Sequence, residues 1–113
     1  MRVSMPRGDI KLVRFLVQNL DDSQVTVSFT EIYFTVKKTA NDREYYFQKK
    51  LTTGGIVKLA PGDYQVRIEP EDTQNMKYGN YKFDIQITYE NQVKETFVGD
   101  FVLTEEITHP ENE

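Results

Sequence analysis

The sequence predicts an all-β protein, an immunoglobulin-like antiparallel β-sandwich of about seven strands with one short helical crossover. Three observations carry this prediction. Apolar and polar residues alternate through most of the chain, as a sheet with one dry and one wet face requires. Turn residues punctuate the alternation every ~8–12 residues. Only "EPEDTQNM" carries the chemistry of a helix start.

Residues 1–8 read as a flexible leader, 9–104 as one sandwich domain and 105–113 as a loose acidic tail. "IKLVRFLVQ" (Ile10–Gln18) is apolar on both faces apart from Lys11 and Arg14, which predicts a strand buried in its middle. "TEIYFTVKK" (Thr30–Lys38) sends Ile32, Phe34 and Val36 to one face and Glu31, Tyr33, Thr35 and Lys37 to the other. "EYYFQKKL" (Glu44–Leu51) places Tyr45, Phe47 and Leu51 together. Ile56–Leu59 and Tyr64–Glu69 form a hairpin across Ala60-Pro61-Gly62-Asp63, where proline presets φ and Gly62 tolerates the positive φ of a type II turn. Pro70 suits a first helical position, Glu71 and Asp72 suit the helix dipole, and Tyr78-Gly79 stops the turn. Tyr81–Tyr89 points Tyr81, Phe83, Ile85 and Ile87 inward, and after a tight reversal at Glu90-Asn91-Gln92 the last strand runs from Val93 to Leu103. Gly62-Asp63-Tyr64 and Gly79-Asn80-Tyr81 echo one another as Gly-x-Tyr-x-apolar-x-Ile. In both, the glycine makes a tight turn and the tyrosine packs at the rim with its hydroxyl free to find a backbone partner.

The composition narrows the function classes. The 113 residues make one domain with a modest core, and the absence of cysteine means that packing alone holds it. The net charge of −4 argues against a sequence-independent nucleic-acid binder. No apolar run approaches the ~20 residues of a membrane span. Nor does a signal core follow the first residues, so synthesis in a bacterial cytoplasm without a signal peptide is expected. Arg2, Arg7, Lys11 and Arg14 make the start basic, and Glu105, Glu106, Glu111 and Glu113 make the end acidic.

Catalytic chemistry has little to stand on. The one histidine, His109, sits in the tail beside Pro110, where a general base would have no fixed orientation. Asp21-Asp22, Glu71-Asp72 and Glu105-Glu106 are adjacent pairs, and neighbours on a strand point to opposite faces. No nucleophile elbow or phosphate loop occurs. The expectation is a protein that is no enzyme, with no cofactor and no metal. Phe34, Phe47, Phe83, Tyr64 and Tyr81 belong to the core, whereas Tyr33, Tyr46, Tyr78 and Tyr89 fall on polar faces or turns and are candidates for an interface. Lys37-Lys38 and Lys49-Lys50 suit the protection of an exposed edge, while an unprotected edge would admit a partner strand.

Three stretches carry a resemblance: "MPRGD", "EIYFTVKK" and "GDYQVRIEPEDTQNMKYGNYKFDIQIT". Their order resembles a family of small phage and prophage proteins encoded among tail and baseplate genes, and the N-terminal domain of phage baseplate upper proteins. The resemblance spans residues 5–108 and is most specific at Pro70-Glu71-Asp72-Thr73 with Tyr78-Gly79-Asn80-Tyr81 and Asp84-Ile85. Thr26-Val27-Ser28-Phe29 stands where the family often has Asp-Leu-Thr-Gly. Baseplate upper proteins continue into a coiled coil, whereas this sequence ends at "EEITHPENE", which implies a stand-alone sandwich. The resemblance implies a structural or accessory protein that contacts other tail or baseplate proteins, compatible with a homo-oligomer and with a place in the virion. The alternative is a module that recognises host glycan through exposed tyrosines. Arg7-Gly8-Asp9 spells an integrin-binding tripeptide, but directly before the first strand it reads as a turn, with Gly8 bending the chain and Asp9 bonding nearby amides. The residues expected to hold the structure are therefore Gly8, Asp9, Gly62, Tyr64, Asp72, Thr73, Gly79 and Tyr81.

Overall fold

The computed structural model describes residues 2–17, 29–39, 42–89 and 92–105, with the backbone alone at 89 and 92–95. Among the described residues, eight strands and one short helix follow in the order β1 (Arg2–Pro6), β2 (Lys11–Leu16), β3 (Glu31–Lys37), β4 (Phe47–Lys50), β5 (Ile56–Ala60), β6 (Asp63–Ile68), α1 (Pro70–Thr73), β7 (Gly79–Tyr89) and β8 (Gln92–Thr104). One sheet has the order β1-β8-β7-β3-β4 and the other β2-β6-β5. Neighbours are antiparallel except β1 and β8, which run parallel from Arg2↔Asp100 to Pro6↔Thr104.

The alternation read from β3, β6 and β7 builds the layer between the sheets. Ile32, Phe34 and Val36, Tyr64, Val66 and Ile68, and Tyr81, Phe83, Ile85 and Ile87 are all buried. Phe34 stacks on Phe83 with ring centroids 5.1 Å apart, and Phe47 meets Phe101 edge-on at 5.9 Å. Such aromatic contacts add to the burial of large apolar surface, the main favourable contribution to a disulfide-free fold.

Three expectations are corrected. The leader 1–8 is not a free segment, because Arg2–Pro6 forms β1 on the edge of β8 and buries Val3 and Met5. Two alternating apolar residues are a weak local signal, and the partner strand lies almost a hundred residues away. Second, the Ile10–Gln18 segment is not buried on both faces. Val13, Phe15 and Val17 point inward, while Ile10, Leu12 and Leu16 are exposed, since no further layer covers the outside of the three-stranded sheet among the described residues. Third, Tyr45 does not join Phe47 in the core. The strand begins only at Phe47, and Tyr45 is 54% exposed.

The turn chemistry has the expected result at Gly62, whose φ of 77° closes the β5–β6 hairpin. The expectations for Asp21-Asp22, Thr26–Ser28, Glu90-Asn91, His109 and the tail from Glu106 onward lie outside the described residues. Below, the lower end of the sandwich is the one where β1 turns into β2, and the upper end is the one with the β5–β6 turn.

Candidate functional site

The lower end collects most of the residues singled out in the sequence. β1 runs into the Arg7-Gly8 turn, where Gly8 has φ 84°, a left-handed conformation that favours glycine. The Gly8 amide donates to Thr73 Oγ1 at 2.9 Å, and Thr73 is completely buried. The Arg7 amide donates to the Thr104 carbonyl at 3.0 Å, and its guanidinium lies 4.3 Å from the centre of the Tyr78 ring. The Asp9 amide closes the turn onto the Pro6 carbonyl at 3.4 Å. Asp9 is exposed, and among the described residues its carboxylate accepts no hydrogen bond, so Asp9 contributes backbone rather than the side-chain bonding the sequence suggested.

Asp72 orders the crossover in two ways. Its carboxylate accepts the Glu69 amide at 2.7 Å, capping α1, and meets Lys49 Nζ at 2.6 Å, which ties the crossover to β4. Lys49 therefore holds an internal ion pair rather than guarding an edge. Gly79 then starts β7, and Tyr81 Oη donates to the Lys77 carbonyl at 2.5 Å. Burial pushes the Tyr81 phenol up, and the neighbouring Tyr46 adds to this.

The candidate interface tyrosines do not form one patch. Tyr46 is half exposed and packs edge-on against Tyr81 at 5.1 Å, beside a shallow depression lined by Lys38, Asp42, Arg43, Glu44 and Tyr45. Tyr78 is exposed under Arg7. Tyr33 stands on the outer face of the five-stranded sheet with Lys50 Nζ 5.7 Å from its ring centre. The Tyr89 backbone pairs with Gln92, and its side chain lies outside the described residues. On the outer face near Tyr33, burial pushes the Asp84 carboxyl up, and Lys37 Nζ at 3.9 Å pulls it partly back. No local pattern signals this, because Asp84 simply occupies a polar position in a regular alternation.

Gly62 and Tyr64 lie at the upper end, apart from this cluster. The Val17 amide donates to the Gly62 carbonyl at 2.7 Å. Tyr64 is completely buried, with its ring 5.8 Å from both Phe15 and Phe29. Burial pushes its phenol up. The Phe29 backbone faces the hydroxyl and offsets part of the effect, but outside hydrogen-bonding geometry. Tyr64 is thus a core residue and not a rim residue with a bonded hydroxyl, which corrects the reading of the two echoed strand starts as one solution.

Among the described residues, no group of three or more His, Cys, Asp or Glu side chains is placed to hold a metal ion. No helix there is long and apolar enough to cross a membrane.

No family model and no curated protein sequence matches the chain. Several solved structures are similar in fold, among them these two. One is the endo-β-1,4-mannanase from Thermotoga petrophila, with a TM-score of 0.59 and 10% identity over 92% of this chain and 18% of that one. The other is the NK cell receptor Nkp44, with a TM-score of 0.52 and 17% identity over 91% of this chain and 96% of that one. This chain thus spans less than a fifth of the mannanase and nearly the whole of the receptor structure. The chain has an immunoglobulin-like fold. The Tyr81–Lys77 bond is the corner that such sandwiches form where the crossover enters the next strand.

Proposed function

We propose that the protein is a non-enzymatic structural or accessory component of a phage or prophage tail or baseplate, acting by contact with other tail proteins. The observation that carries this reading is the packing of the lower end. Two parts of the resemblance, the opening Arg7-Gly8 and the more specific stretch from Pro70 to Tyr81, meet there as one unit through Gly8–Thr73, Arg7–Tyr78 and Tyr81–Lys77. Their order in the sequence thus has a structural reason, and the unit displays Tyr45, Tyr46 and Tyr78 to solvent on a rigid support. Exposed tyrosines on a fixed frame suit a protein interface, since they bring large contact area at little entropic cost.

The test is the genomic and physical neighbourhood of the protein. Adjacent genes for tape measure, tail fibre, holin or endolysin, together with the protein in purified particles or in complex with a tail protein, support the reading. A metabolic operon overturns it.

A second reading is favoured by the Tyr45–Tyr46 depression with its mixed charged rim, which suits a polyol as well as a protein. An array of bacterial wall polysaccharides separates the two. Specific binding lost on Tyr46→Ala or Tyr78→Ala supports glycan recognition, and no binding leaves the tail-protein reading in place.

A further inference from the structure

We propose that the outer face of the five-stranded sheet carries a phosphate-binding site, in which Arg2, Lys38 and Lys82 hold free phosphate or the phosphate group of a small monoester. The site does not depend on the protein-contact reading above.

Alternation puts these cations on one side of the sheet. Val3, Tyr81 and Phe101 are buried, so their neighbours Arg2, Asn80, Lys82 and Asp100 point outward and are exposed. Arg2 is in register with Asp100, and Asp100 with Lys82, which sets the three in one row across β1, β8 and β7. Lys38 follows β3 and is held in place. Its Nζ donates to the Asn80 carbonyl at 3.1 Å and lies 4.7 Å from the centre of the Tyr81 ring. Arg2, Lys38, Asn80, Lys82 and Asp100 line one depression of about 360 Å³.

The charges in it do not cancel. Lys82 bonds Asp100 and thereby holds that carboxyl below the ordinary aspartate range, with a smaller effect from Arg2. Arg2 forms no ion pair among the described residues. Three cations against one carboxylate leave a net of +2, in a chain whose own net charge is −4. Donors are left over as well. An ammonium has three N–H groups, so Lys38 and Lys82 each keep two beyond the bonds named, and the Arg2 guanidinium adds a planar fork.

The ligand follows from this balance. A phosphate monoester carries about −1.5 to −2 at pH ~7 and three acceptor oxygens, which matches both the charge and the donors of the depression. A carboxylate brings one charge and two oxygens. A long polyanion fits less well, because the neighbouring depression, which shares Lys38, brings Asp42 and Glu44.

The test is an NMR titration of the isotope-labelled full chain at constant ionic strength, with chloride as the balancing anion. Inorganic phosphate and glycerol phosphate are the probes, and glycerol is the neutral control. Both probes are expected to give saturable amide shifts at Arg2, Lys38, Asn80 and Lys82, while glycerol and chloride give none. Tighter binding of glycerol phosphate identifies an ester as the ligand, and equal binding identifies free phosphate. Arg2→Gln and Lys38→Gln are each expected to weaken binding about fivefold or more. Asp100→Asn is expected to strengthen it several-fold, because it removes the carboxylate and frees Lys82. A merely structural role for Asp100 predicts no such gain. Lys11→Gln, which removes a cation of the other sheet, leaves the affinity unchanged. Cooperative melts check that each variant is folded. No saturable shift, an equal response to chloride, equal weakening by Lys11→Gln, or no gain from Asp100→Asn overturns the inference.

Discussion

Tyr64 and Tyr81 each stand two residues after a glycine of positive φ, at the start of strands with the same apolar spacing. At the lower end, Tyr81 lies against the crossover, its ring inside and its hydroxyl on the Lys77 carbonyl. At the upper end, Tyr64 is drawn completely between the sheets, stacked on Phe15, with a hydroxyl that has no hydrogen-bond partner among the described residues. The residue between glycine and tyrosine differs in the same sense. Asp63 is held by Arg14, with Nε 2.8 Å from its carboxylate, whereas Asn80 offers its backbone carbonyl to Lys38. One local pattern thus serves as a hydrogen-bonded corner in one place and as core filling in the other. The backbone chose the turn, and the neighbouring element chose what the tyrosine does.

The largest expected effect is at Tyr64. Tyr64→Ala removes a fully buried ring and should cost about 3–5 kcal/mol in urea denaturation. A loss under about 1 kcal/mol would mean that the upper end collapses around the vacancy. Conservative removal of the hydroxyls separates the two positions more sharply. Tyr81→Phe leaves the Lys77 carbonyl without its donor and should cost roughly 0.5–1.5 kcal/mol, while Tyr64→Phe removes an unpaired hydroxyl and should be neutral or stabilising. If both changes have the same sign and size, the distinction between corner and core fails.

A smaller effect separates the intervening residues by pH. The Arg14 guanidinium, bonded to Asp63, holds that carboxyl below the ordinary aspartate range, against an opposing effect of burial. A depressed carboxyl stabilises the fold above its unfolded value, near pH ~3.9. The contribution fades as pH falls through the folded value. The melting temperature of Asp63→Asn should therefore fall below wild type at neutral pH and converge with it in acid. Parallel curves down to the acid limit would show that the Arg14 contact is energetically silent. The smallest effect is expected at the lower end, where Asp9→Ala should stay within about 0.5 kcal/mol of wild type because only its backbone is bonded. A clear drop in melting temperature would restore a side-chain role for the last residue of the Arg-Gly-Asp turn.

The class of fold can be read from the order of residues alone. Period-two alternation in β3, β6 and β7, glycine and proline at the β5–β6 turn, and acids after Pro70 act through neighbours a few residues away. The inward residues of β3, β6 and β7 were legible for the same reason. Long-range packing set the rest, because pairings across the whole chain leave almost no local trace. It turned the leader into β1 through parallel bonds to β8, and it left Leu12 and Leu16 uncovered on an outer face although they look like core. It set Gly8 on Thr73, 65 residues away. It also left residues 95–99 of β8 with β7 on one side and no strand on the other among the described residues, since alternation shows which side chains share a face but not whether another strand lies beside them.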